Sequence, residues 1–315
     1  MNALQQEYHD ALSGMQGRDI LVIGDMVADI YLDGRISRIS REAPVLVLEQ
    51  AGEKVVAGGA ANVVNNIATL GGKVHAVGLV GADKSADGLR EILAANGADV
   101  RGLIADDSRP TISKTRIIAG GRATVSQQIV RIDRESKAPM APAVEAELRA
   151  YIKSILPTVE GVVISDYGSG TVTEGLQSLL IDYCQAKGIP SIVDSRYAVR
   201  RFHGIGYVKQ NDAEIAAAKG VLVTRGELGM VLVEHGAVHE IPVSDKSEVF
   251  DVSGAGDTCV AAVILALAAG VAPATAARLS NIASGIAVRK LGTSTVSVRE
   301  LAEAIEKLRE EYTSK

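Results

Sequence analysis

A repeated succession of a short apolar segment, a polar turn and a helical stretch constrains the fold of this chain more than any other feature. Uninterrupted runs of valine, isoleucine and leucine are typical of strands buried on both faces, as in a parallel sheet. Such runs lie at residues 19–25, 73–81, 161–167, 190–195, 206–211, 220–226 and 229–235, and helical stretches at 60–70, 86–96, 143–155, 173–187 and 257–269. This alternation predicts an α/β sandwich with right-handed crossovers.

Two further stretches break this succession. Residues 30–57 and 111–133 alternate apolar and polar side chains and contain glycine turns. A period of two is typical of strands with one face in solvent. The two stretches are therefore predicted to pair as a small separate sheet, which would form a lid over a cleft in the α/β body. The alternative is that they form an extra edge layer of the main sheet.

Charge and apolar patterning restrict the classes of partner. The chain has 33 basic and 38 acidic residues, a net charge of −5, which argues against a nucleic-acid or anionic-membrane partner because both favour a basic face. The longest uncharged apolar run, residues 258–271, is shorter than the roughly 20 residues of a membrane span. The first 19 residues are polar and lack the apolar core of a signal peptide. We therefore expect a soluble, cytoplasmic protein.

The most specific local motif is DVSGAGDTC at residues 251–259, directly followed by an apolar helical stretch. Gly254 and Gly256 permit backbone conformations closed to other residues and a close approach of a ligand. The first N–H groups of the following helix lack intrahelical acceptors and lie at the positive end of its dipole. This arrangement predicts a pocket for a phosphate or an oxyanion. Asp257 lies at the same turn, either as a helix cap or as a catalytic carboxylate.

Other common catalytic and nucleotide-binding motifs are absent from the sequence. There is no GxxxxGK[ST] loop, no GxGxxG after the first strand, no HExxH and no GxSxG. Cys184 and Cys259 cannot form a disulfide framework, and no cysteine–histidine cluster suggests zinc. Cys259 falls inside an apolar helical stretch, so we expect it to pack rather than to react.

A second glycine cluster, GGAAN, occupies residues 58–62 at the start of another predicted helix. Small residues there would admit a ligand close to the backbone, and Asn62 offers both a donor and an acceptor to a hydroxyl group. Tight helix–sheet packing explains the glycines equally well. Asp25 and Asp29 follow the first strand, where the carboxyl ends of a parallel sheet face the ligand. They are candidate acceptors for sugar hydroxyls, with turn capping as the alternative.

Together, the GGAAN and DVSGAGDT motifs, in this order and separation, resemble those of the ribokinase/PfkB sugar kinases over residues 20–301. The resemblance implies one ribokinase-like domain over 1–315, a three-layer α/β sandwich with a mostly parallel central sheet and a small β-sheet lid. The stretches SRISREAPVLVLE, TISKTRII, VISDYGSG and KLGTSTVS are similar to D-glycero-β-D-manno-heptose-7-phosphate kinases. Since the chain ends at Lys315, we expect the form without the adenylyltransferase that is fused to many of these kinases.

The resemblance also implies roles for individual residues. Asp257 would be the catalytic base, with an anion hole formed by Gly254, Ala255 and Gly256. Glu214, in the motif N-x-x-E, would hold Mg²⁺ through water, and Asp251 would border a site for a monovalent cation such as K⁺. The residues expected near ATP are Asn211, Thr224, Arg225, Gly226, Asn281 and the loop 292–295.

On the substrate side, the resemblance implies hydroxyl-binding and phosphate-binding residues. Sugar hydroxyls would be bound by Asp25, Asp29, Gly58, Gly59 and Asn62. The phosphate of the acceptor calls for cations on the lid, and Lys114 and Arg116 are the candidates, with Arg38 and Arg41 as weaker ones. Solvated lid charge is the alternative for all four. The exposed lid strands are expected to pair across a two-fold axis, which would give a homodimer.

The expected activity is ATP-dependent phosphorylation of the 1-hydroxyl of D-glycero-D-manno-heptose 7-phosphate. The alternatives are another PfkB-type sugar or nucleoside kinase, or a regulator that binds a sugar phosphate without catalysis. One departure from the family is the connection after Glu214, where only residues 215–219 precede the next strand. A parallel crossover needs a dozen residues or more, so either residues are missing from this connection or it is rebuilt. We expect the former.

Overall fold

A computed structural model describes residues 2–120, 126–211, 218–244 and 249–308, with Asn211 through its backbone only. The helices are α1 (Ala3–Met15), α2 (Ala60–Thr69), α3 (Lys84–Ala95), α4 (Pro142–Ile155), α5 (Glu174–Lys187), α6 (Ala255–Ala268), α7 (Pro273–Ala287) and α8 (Val298–Glu306). The strands are β1 (Asp19–Gly24), β2 (Met26–Ile39), β3 (Leu46–Gly59), β4 (Lys73–Val80), β5 (Asp99–Ala105), β6 (Ile112–Gly120), β7 (Gln127–Arg134), β8 (Gly161–Asp166), β9 (Ser191–Ser195), β10 (Tyr207–Asn211), β11 (Gly220–Thr224), β12 (Met230–Glu234) and β13 (Ala237–Ile241).

The main sheet has nine strands in the order β13-β12-β11-β10-β9-β8-β1-β4-β5. The seven strands β11, β10, β9, β8, β1, β4 and β5 run parallel to one another. Alternate side chains of each central strand face opposite layers. In β1, Ile20 and Val22 pack into a core with α1, α2, α3, α6, α7 and α8. Leu21 and Ile23 pack into a second core with α4 and α5. The predicted α/β sandwich, with its central sheet between two helical layers, is confirmed.

One edge of the main sheet departs from the parallel arrangement predicted for residues 229–235. β12 runs antiparallel to β11, and β13 antiparallel to β12. The turn from Arg225 to Gly229 is too short for a crossover, so the chain reverses into a hairpin. Its closing hydrogen bond runs from the N–H of Arg225 to the carbonyl oxygen of Gly229 at 2.8 Å.

The two stretches of alternating residues form a separate four-stranded sheet in the order β3-β2-β6-β7. The separate lid sheet is confirmed, and the alternative of an edge layer on the main sheet is wrong. β2 and β6 pair in parallel, with Asp29 opposite Lys114 and Tyr31 opposite Arg116. The base of β2 is buried while its far end is exposed, so the sheet projects from the body. Its charged residues near the base therefore face the carboxyl ends of the main sheet.

β10 and β11 are adjacent parallel strands, with Val208 opposite Val221. The expected position of Thr224 near ATP requires β11 to lie beside β10, and the two strands are adjacent. Only residues 212–219 connect them. Residues 212–217 of this connection lie outside the described residues, and so does Glu214. Whether this chain lacks residues here stays a prediction.

Several features place a cleft at one end of the main sheet. The carboxyl ends of β1, β8, β9 and β10 and the amino ends of α2 and α6 meet there, below the lid. In open parallel sheets this edge is where ligands bind. Within the ranges described, none of the helices is long and apolar enough to span a membrane.

Candidate active site

A cavity of about 690 Å³ lies between this edge of the main sheet and the lid. Charged side chains dominate its wall. Five are basic and four are acidic, and they come from both sheets, from the loop after β9 and from α6. The charged lining residues are Lys114, Arg116, Arg131, Arg196, Lys209, Asp29, Asp166, Asp194 and Asp257. Such a polar, charged cavity suits a ligand that carries several hydroxyl or phosphate groups rather than an apolar one.

The amino end of α6 forms part of the floor of the cavity. Gly254, which precedes the helix, has a φ of 80°, a left-handed conformation that only glycine adopts readily. The N–H groups of Gly256 and Asp257 donate to no described residue, since their usual acceptors would lie before the helix begins. The turn of Gly254, Ala255 and Gly256 thus has the backbone geometry expected of it, and its binding of an anion stays a prediction.

Asp257 follows directly, in the first turn of α6, and is only 7% exposed. Its carboxylate accepts hydrogen bonds from Nδ2 of Asn62 at 2.8 Å and from the hydroxyl of Tyr167 at 3.2 Å. Burial raises the pKa of Asp257 to about 6, and the hydrogen bond from Asn62 opposes the shift. A carboxylate with such a pKa is ionised at neutral pH and basic enough to accept a proton from a hydroxyl group in a transition state.

The GGAAN segment positions Asn62 against Asp257. Gly59, with a φ of 54°, caps α2, and Asn62 lies in its first turn. The carbonyl oxygen and Oδ1 of Asn62 accept hydrogen bonds from Nδ2 of Asn66 at 3.0 and 3.2 Å. Oγ1 of Thr258 donates to Oδ1 of Asn66 at 3.0 Å, which ties α2 to α6. Asn62 thus belongs to a buried network that fixes the orientation of the Asp257 carboxylate. The sequence had predicted only that Asn62 contacts a sugar hydroxyl.

On the lid side, Asp29 forms an ion pair with Arg116, with Nη1 and Oδ1 2.6 Å apart. Its other oxygen accepts a hydrogen bond from Oγ1 of Thr293 at 3.1 Å. Gly58 packs against this carboxylate, because a Cβ on Gly58 would lie 2.4 Å from Oδ2 of Asp29. Arg116 is therefore a neutralised cation.

Two other cations of the cavity have aromatic neighbours in place of carboxylates. The ammonium of Lys114 lies 5.4 Å from the ring centre of Tyr167, and the guanidinium of Arg196 lies 6.0 Å from that of Tyr197. Among the described side chains, no carboxylate lies within ion-pair distance of either Lys114 or Arg196. Arg131 also lines the cavity, and it pairs with Asp133 at 2.8 Å. Arg38 and Arg41 are exposed and do not line the cavity.

Asp25 has a different environment from the one expected. It is fully buried, and its carboxylate accepts hydrogen bonds from the backbone N–H groups of Tyr167 at 2.8 Å, Ser169 at 3.1 Å and Thr171 at 3.4 Å. Burial raises its pKa, and these hydrogen bonds oppose the shift. Asp25 holds the loop that carries Tyr167 and does not itself line the cavity.

Of the described residues that are expected around ATP and K⁺, only Thr293 of the loop 292–295 lines the cavity described above. Asp251 accepts hydrogen bonds from the N–H groups of Ser253 at 2.8 Å and Gly292 at 3.0 Å. Asn281, on α7, donates to the carbonyl oxygen of Pro242 at 2.6 Å. Asn211, known only through its backbone, is the last residue of β10. Thr224 is the last residue of β11, and Arg225 and Gly226 follow it.

The donor set of the cavity fits a hard cation bound with a phosphorylated ligand. No group of three or more potential metal ligands occurs among the residues that the structure describes. Mg²⁺ in such sites is usually held by one or two carboxylates together with the phosphates of the substrate. Asp194 supplies a carboxylate at the cavity, and the amino end of α6 supplies a place for the phosphates.

Sequence reasoning missed two residues near Asp257. Tyr167 hydrogen-bonds to it, and Lys209 reaches the floor of the cavity from β10 with its ammonium 2.8 Å from Oδ2 of Asp194. A signal for Lys209 existed, because it lies within a predicted strand of the central sheet, residues 206–211, where a lysine is rarely buried without a specific partner. Tyr167 carried no such signal, since its position depends on how the loop after β8 folds.

Comparison with known proteins agrees with this geometry. Residues 18–300 match the family described as pfkB family carbohydrate kinase. The chain is 41% identical over 308 residues to the bifunctional protein HldE of Citrifermentans bemidjiense. That match covers 89% of this chain and 62% of HldE, so the chain spans less than two thirds of this relative.

Solved structures share the fold at low sequence identity. Ribokinase of Arabidopsis thaliana, complexed with ribose and ATP, superposes with a TM-score of 0.68 at 16% identity, covering 92% of this chain and 99% of that one. Phosphofructokinase-2 of Escherichia coli, in complex with potassium, superposes with a TM-score of 0.69 at 19% identity, with the same coverage of 92% and 99%. These likenesses show a ribokinase-like fold.

Proposed function

Because this chain belongs to the pfkB family of carbohydrate kinases, we propose that its cavity transfers the γ-phosphoryl group of ATP to a sugar that already carries a phosphate. The specific acceptor proposed is D-glycero-β-D-manno-heptose 7-phosphate, and the product is the 1,7-bisphosphate. The heptose assignment rests on the stretches, such as VISDYGSG, that are similar to heptose 7-phosphate kinases. The reaction would then serve the synthesis of ADP-heptose for the lipopolysaccharide core.

The observation that carries the phosphorylated acceptor is the position of Lys114 and Arg196. Both line the cavity with aromatic contacts and without a described carboxylate partner. Lys114 lies over Tyr167, whose hydroxyl hydrogen-bonds to Asp257, so a positive charge stands one aromatic ring away from the base. A sugar phosphate with its hydroxyl at Asp257 can direct its phosphate to these cations. A sugar without charge would leave them unused.

Asp257 acts on the acceptor as a general base. Its carboxylate takes the proton of the attacking hydroxyl group while the hydroxyl oxygen bonds to the γ-phosphorus and the bond from that phosphorus to ADP breaks. Asn62 and Tyr167 hold the carboxylate in place. The N–H groups of Gly256 and Asp257, which donate to no described residue, stabilise the charge on the transferred group. Phosphoryl transfer depends mainly on such positioning and electrostatic stabilisation, and a base adds about 10²–10⁴-fold.

Hydroxyl groups of the acceptor would be bound by Asp29, Asn62 and the backbone at Gly58 and Gly59. Asp25 would act as a positioning residue, since its carboxylate already accepts hydrogen bonds from the loop after β8. Arg116 supports the acceptor site by orienting Asp29.

The nucleotide and cation sites remain as the sequence suggests. Mg²⁺, when bound, would neutralise the phosphates of ATP, with Glu214 as its expected ligand through water. Asn211, Thr224, Arg225, Gly226 and Asn281 would border the nucleotide, and Asp251 a site for K⁺.

We also propose a homodimer formed through the lid, and a cytoplasmic location. The lid carries exposed apolar side chains near its edges and far end, where a second copy could cover them. They are Ile39, Val45, Leu46, Val130 and Ile132. Size-exclusion chromatography with light scattering is expected to give twice the mass of the chain at micromolar concentration, and a monomer would contradict the proposal.

An ADP-release assay with Mg²⁺ and ATP tests the proposed reaction. Acceptors to compare are the heptose 7-phosphate, the same heptose without phosphate, ribose, fructose 6-phosphate, fructose 1-phosphate and adenosine. The proposal expects turnover on the heptose 7-phosphate and at least about 100-fold less on the unphosphorylated heptose. Turnover on another acceptor would retain the kinase mechanism and reject the substrate. No turnover on any acceptor, with ATP bound, would favour a non-catalytic regulator.

A further inference from the structure

We propose that Lys209 is a catalytic residue whose ammonium group contacts the transferred phosphoryl group and stabilises its negative charge. This inference rests on the proposed phosphoryl transfer. It adds a cation from the main sheet to the reacting centre, on the opposite side of the cavity from the cations of the lid.

The burial of Lys209 requires an explanation. Its side chain is only 6% exposed, and it lies between Val208 and Gln210 in β10, an inner strand of the main sheet. Removing an ammonium group from water costs several kcal/mol unless nearby charges compensate. Burial lowers the pKa of Lys209, but the carboxylates of Asp194 and Asp257 outweigh this effect, so that its pKa lies above the ordinary value. Lys209 is therefore a fixed positive charge at neutral pH.

The position of the ammonium is more informative than its pairing. A Cβ added to Gly256 would lie 2.6 Å from Nζ of Lys209, so the ammonium packs directly on the first turn of α6. The amino end of a helix carries a partial positive charge, and a cation there is unfavourable. The carboxylate of Asp257 in the same turn offsets this cost in part, whereas the ion pair of Lys209 with Asp194 does not require the contact.

An anion bound at the amino end of α6 would offset the repulsion between the ammonium of Lys209 and the helix. It would accept hydrogen bonds from the N–H groups of Gly256 and Asp257, which donate to no described residue, and would contact Nζ of Lys209 from the same side. Because position 256 is glycine, no side chain separates the ammonium from the backbone of the helix. Both Lys209 and Gly256 line the cavity, so a ligand can reach this place.

The charge balance during transfer supports the same assignment. Before the reaction, Lys209 lies among the carboxylates of Asp194 and Asp257. When Asp257 takes the acceptor proton it becomes neutral, while the phosphoryl oxygens bear the negative charge next to the ammonium. Lys209 keeps its protons throughout, since the one proton released passes from the acceptor hydroxyl to Asp257. The ammonium therefore stabilises the transition state more than the ground state, which is the condition for acceleration.

The test compares the variants Lys209→Met and Lys209→Arg with the parent enzyme. Lys209→Met removes the charge at similar length, and we expect kcat to fall by about 10²–10³-fold, the usual effect of removing one preorganised stabilising group. The KM of the acceptor should stay within about threefold. Lys209→Arg, which keeps the charge, should recover part of kcat.

Arg109→Met is the matched control. Arg109 forms a buried ion pair with Asp106 at 2.7 Å, with side chains only 6% and 4% exposed, and neither residue lines the cavity. This variant should lower the thermal midpoint, as breaking a buried pair does, while kcat per folded molecule stays that of the parent. If Lys209→Met lowers kcat no more than Arg109→Met does, Lys209 has a structural role only and the inference is wrong.

A binding measurement gives a second readout that needs no sugar. ADP with aluminium fluoride and Mg²⁺ mimics the transferred group, so the parent should bind ADP more tightly with the fluoride than without it. In Lys209→Met this gain should disappear while the affinity for ADP alone persists. If Lys209→Met does not fold, Lys209→Gln is measured in its place. An unchanged gain contradicts the inference, whereas a parent that binds this mimic but phosphorylates no sugar contradicts the proposed function alone.

Discussion

The hydroxyl group of Tyr167 donates a hydrogen bond to Oδ1 of Asp257 across the floor of the cavity, with an oxygen–oxygen distance of 3.2 Å. The negative charge of Asp257 and burial together raise the pKa of Tyr167 well above its usual value. Tyr167 is therefore a permanent donor to the carboxylate. Because hydrogen bonds to the ionised form stabilise it, Tyr167 keeps the pKa of Asp257 lower than burial alone would.

The variant Tyr167→Phe should consequently move the pH dependence of activity. In the parent enzyme, kcat/KM should rise with pH through about 6, where the buried Asp257 ionises and becomes a base. Loss of the donor should shift this acid limb upward by about one pH unit, since one unit corresponds to about 1.4 kcal/mol and a hydrogen bond to a charged group is worth about that much. At high pH the activity should approach that of the parent.

Tyr183→Phe serves as the control for this profile. The hydroxyl of Tyr183 donates to the carbonyl oxygen of Leu156 at 2.7 Å, away from the cavity. Its acid limb should coincide with that of the parent. Coinciding limbs for the parent and Tyr167→Phe would show that Tyr167 does not act on the base.

Substrate charge is tested at Lys114. The variant Lys114→Met should raise the KM for a phosphorylated acceptor by at least about tenfold, because it removes a cation that has no described carboxylate partner. The KM for ATP should not change. Steady-state kinetics with each substrate varied in turn measures both values, and Lys73→Met, at the exposed start of β4, is the control. Equal acceptor KM values in Lys114→Met and the parent would show that Lys114 does not bind the phosphate of the acceptor.

The amino-acid pattern was sufficient for much of this architecture. Apolar runs predicted the parallel strands, because strands buried on both faces exclude polar residues. The glycines of GAGD and GGAAN marked two helix starts, since close approach and left-handed backbone conformations require glycine. The structure brings Asp257 and Asn62, which lie far apart in the chain, into direct hydrogen-bond contact.

The roles that could not be predicted depend on contacts between distant segments. Asp25 looked like a ligand for a sugar hydroxyl, but its carboxylate is occupied by backbone N–H groups of a loop that begins at Tyr167. Lys209 belongs to an inner strand of the main sheet, and only the packing of α6 against β10 shows what its ammonium faces. The reversal of β12 follows from the length of the turn after Thr224, which strand periodicity does not encode.

A separate prediction concerns stability at the opposite end of the sheet. His75 of β4 lies with Nε2 3.0 Å from Oδ1 of Asp19 and Nδ1 3.2 Å from Oδ2 of Asp99. Asp19, more than Asp99, raises the pKa of His75, whereas burial opposes the shift. A group whose folded-state pKa is raised contributes stability that is complete below its unfolded pKa of about 6.5 and is lost as pH rises through the folded value.

The difference in unfolding free energy between the parent and His75→Gln should therefore be larger at pH 6 than at pH 8.5. Urea titrations at both pH values measure it. His203→Gln is the control, since His203 is exposed and forms no described ion pair. A difference that is constant with pH would show that protonated His75 adds nothing to stability.

The central claim is that Asp257 is the base of a phosphoryl transfer to a sugar hydroxyl. It is tested most directly by single-turnover phosphorylation of the heptose 7-phosphate by the parent and by Asp257→Asn, each saturated with Mg²⁺ and ATP. Asparagine preserves size and can still accept a hydrogen bond from Asn62, so folding and ATP binding should persist. If Asp257 is the base, the rate constant should be lower by at least about 10²-fold in Asp257→Asn. A rate equal to that of the parent would contradict it.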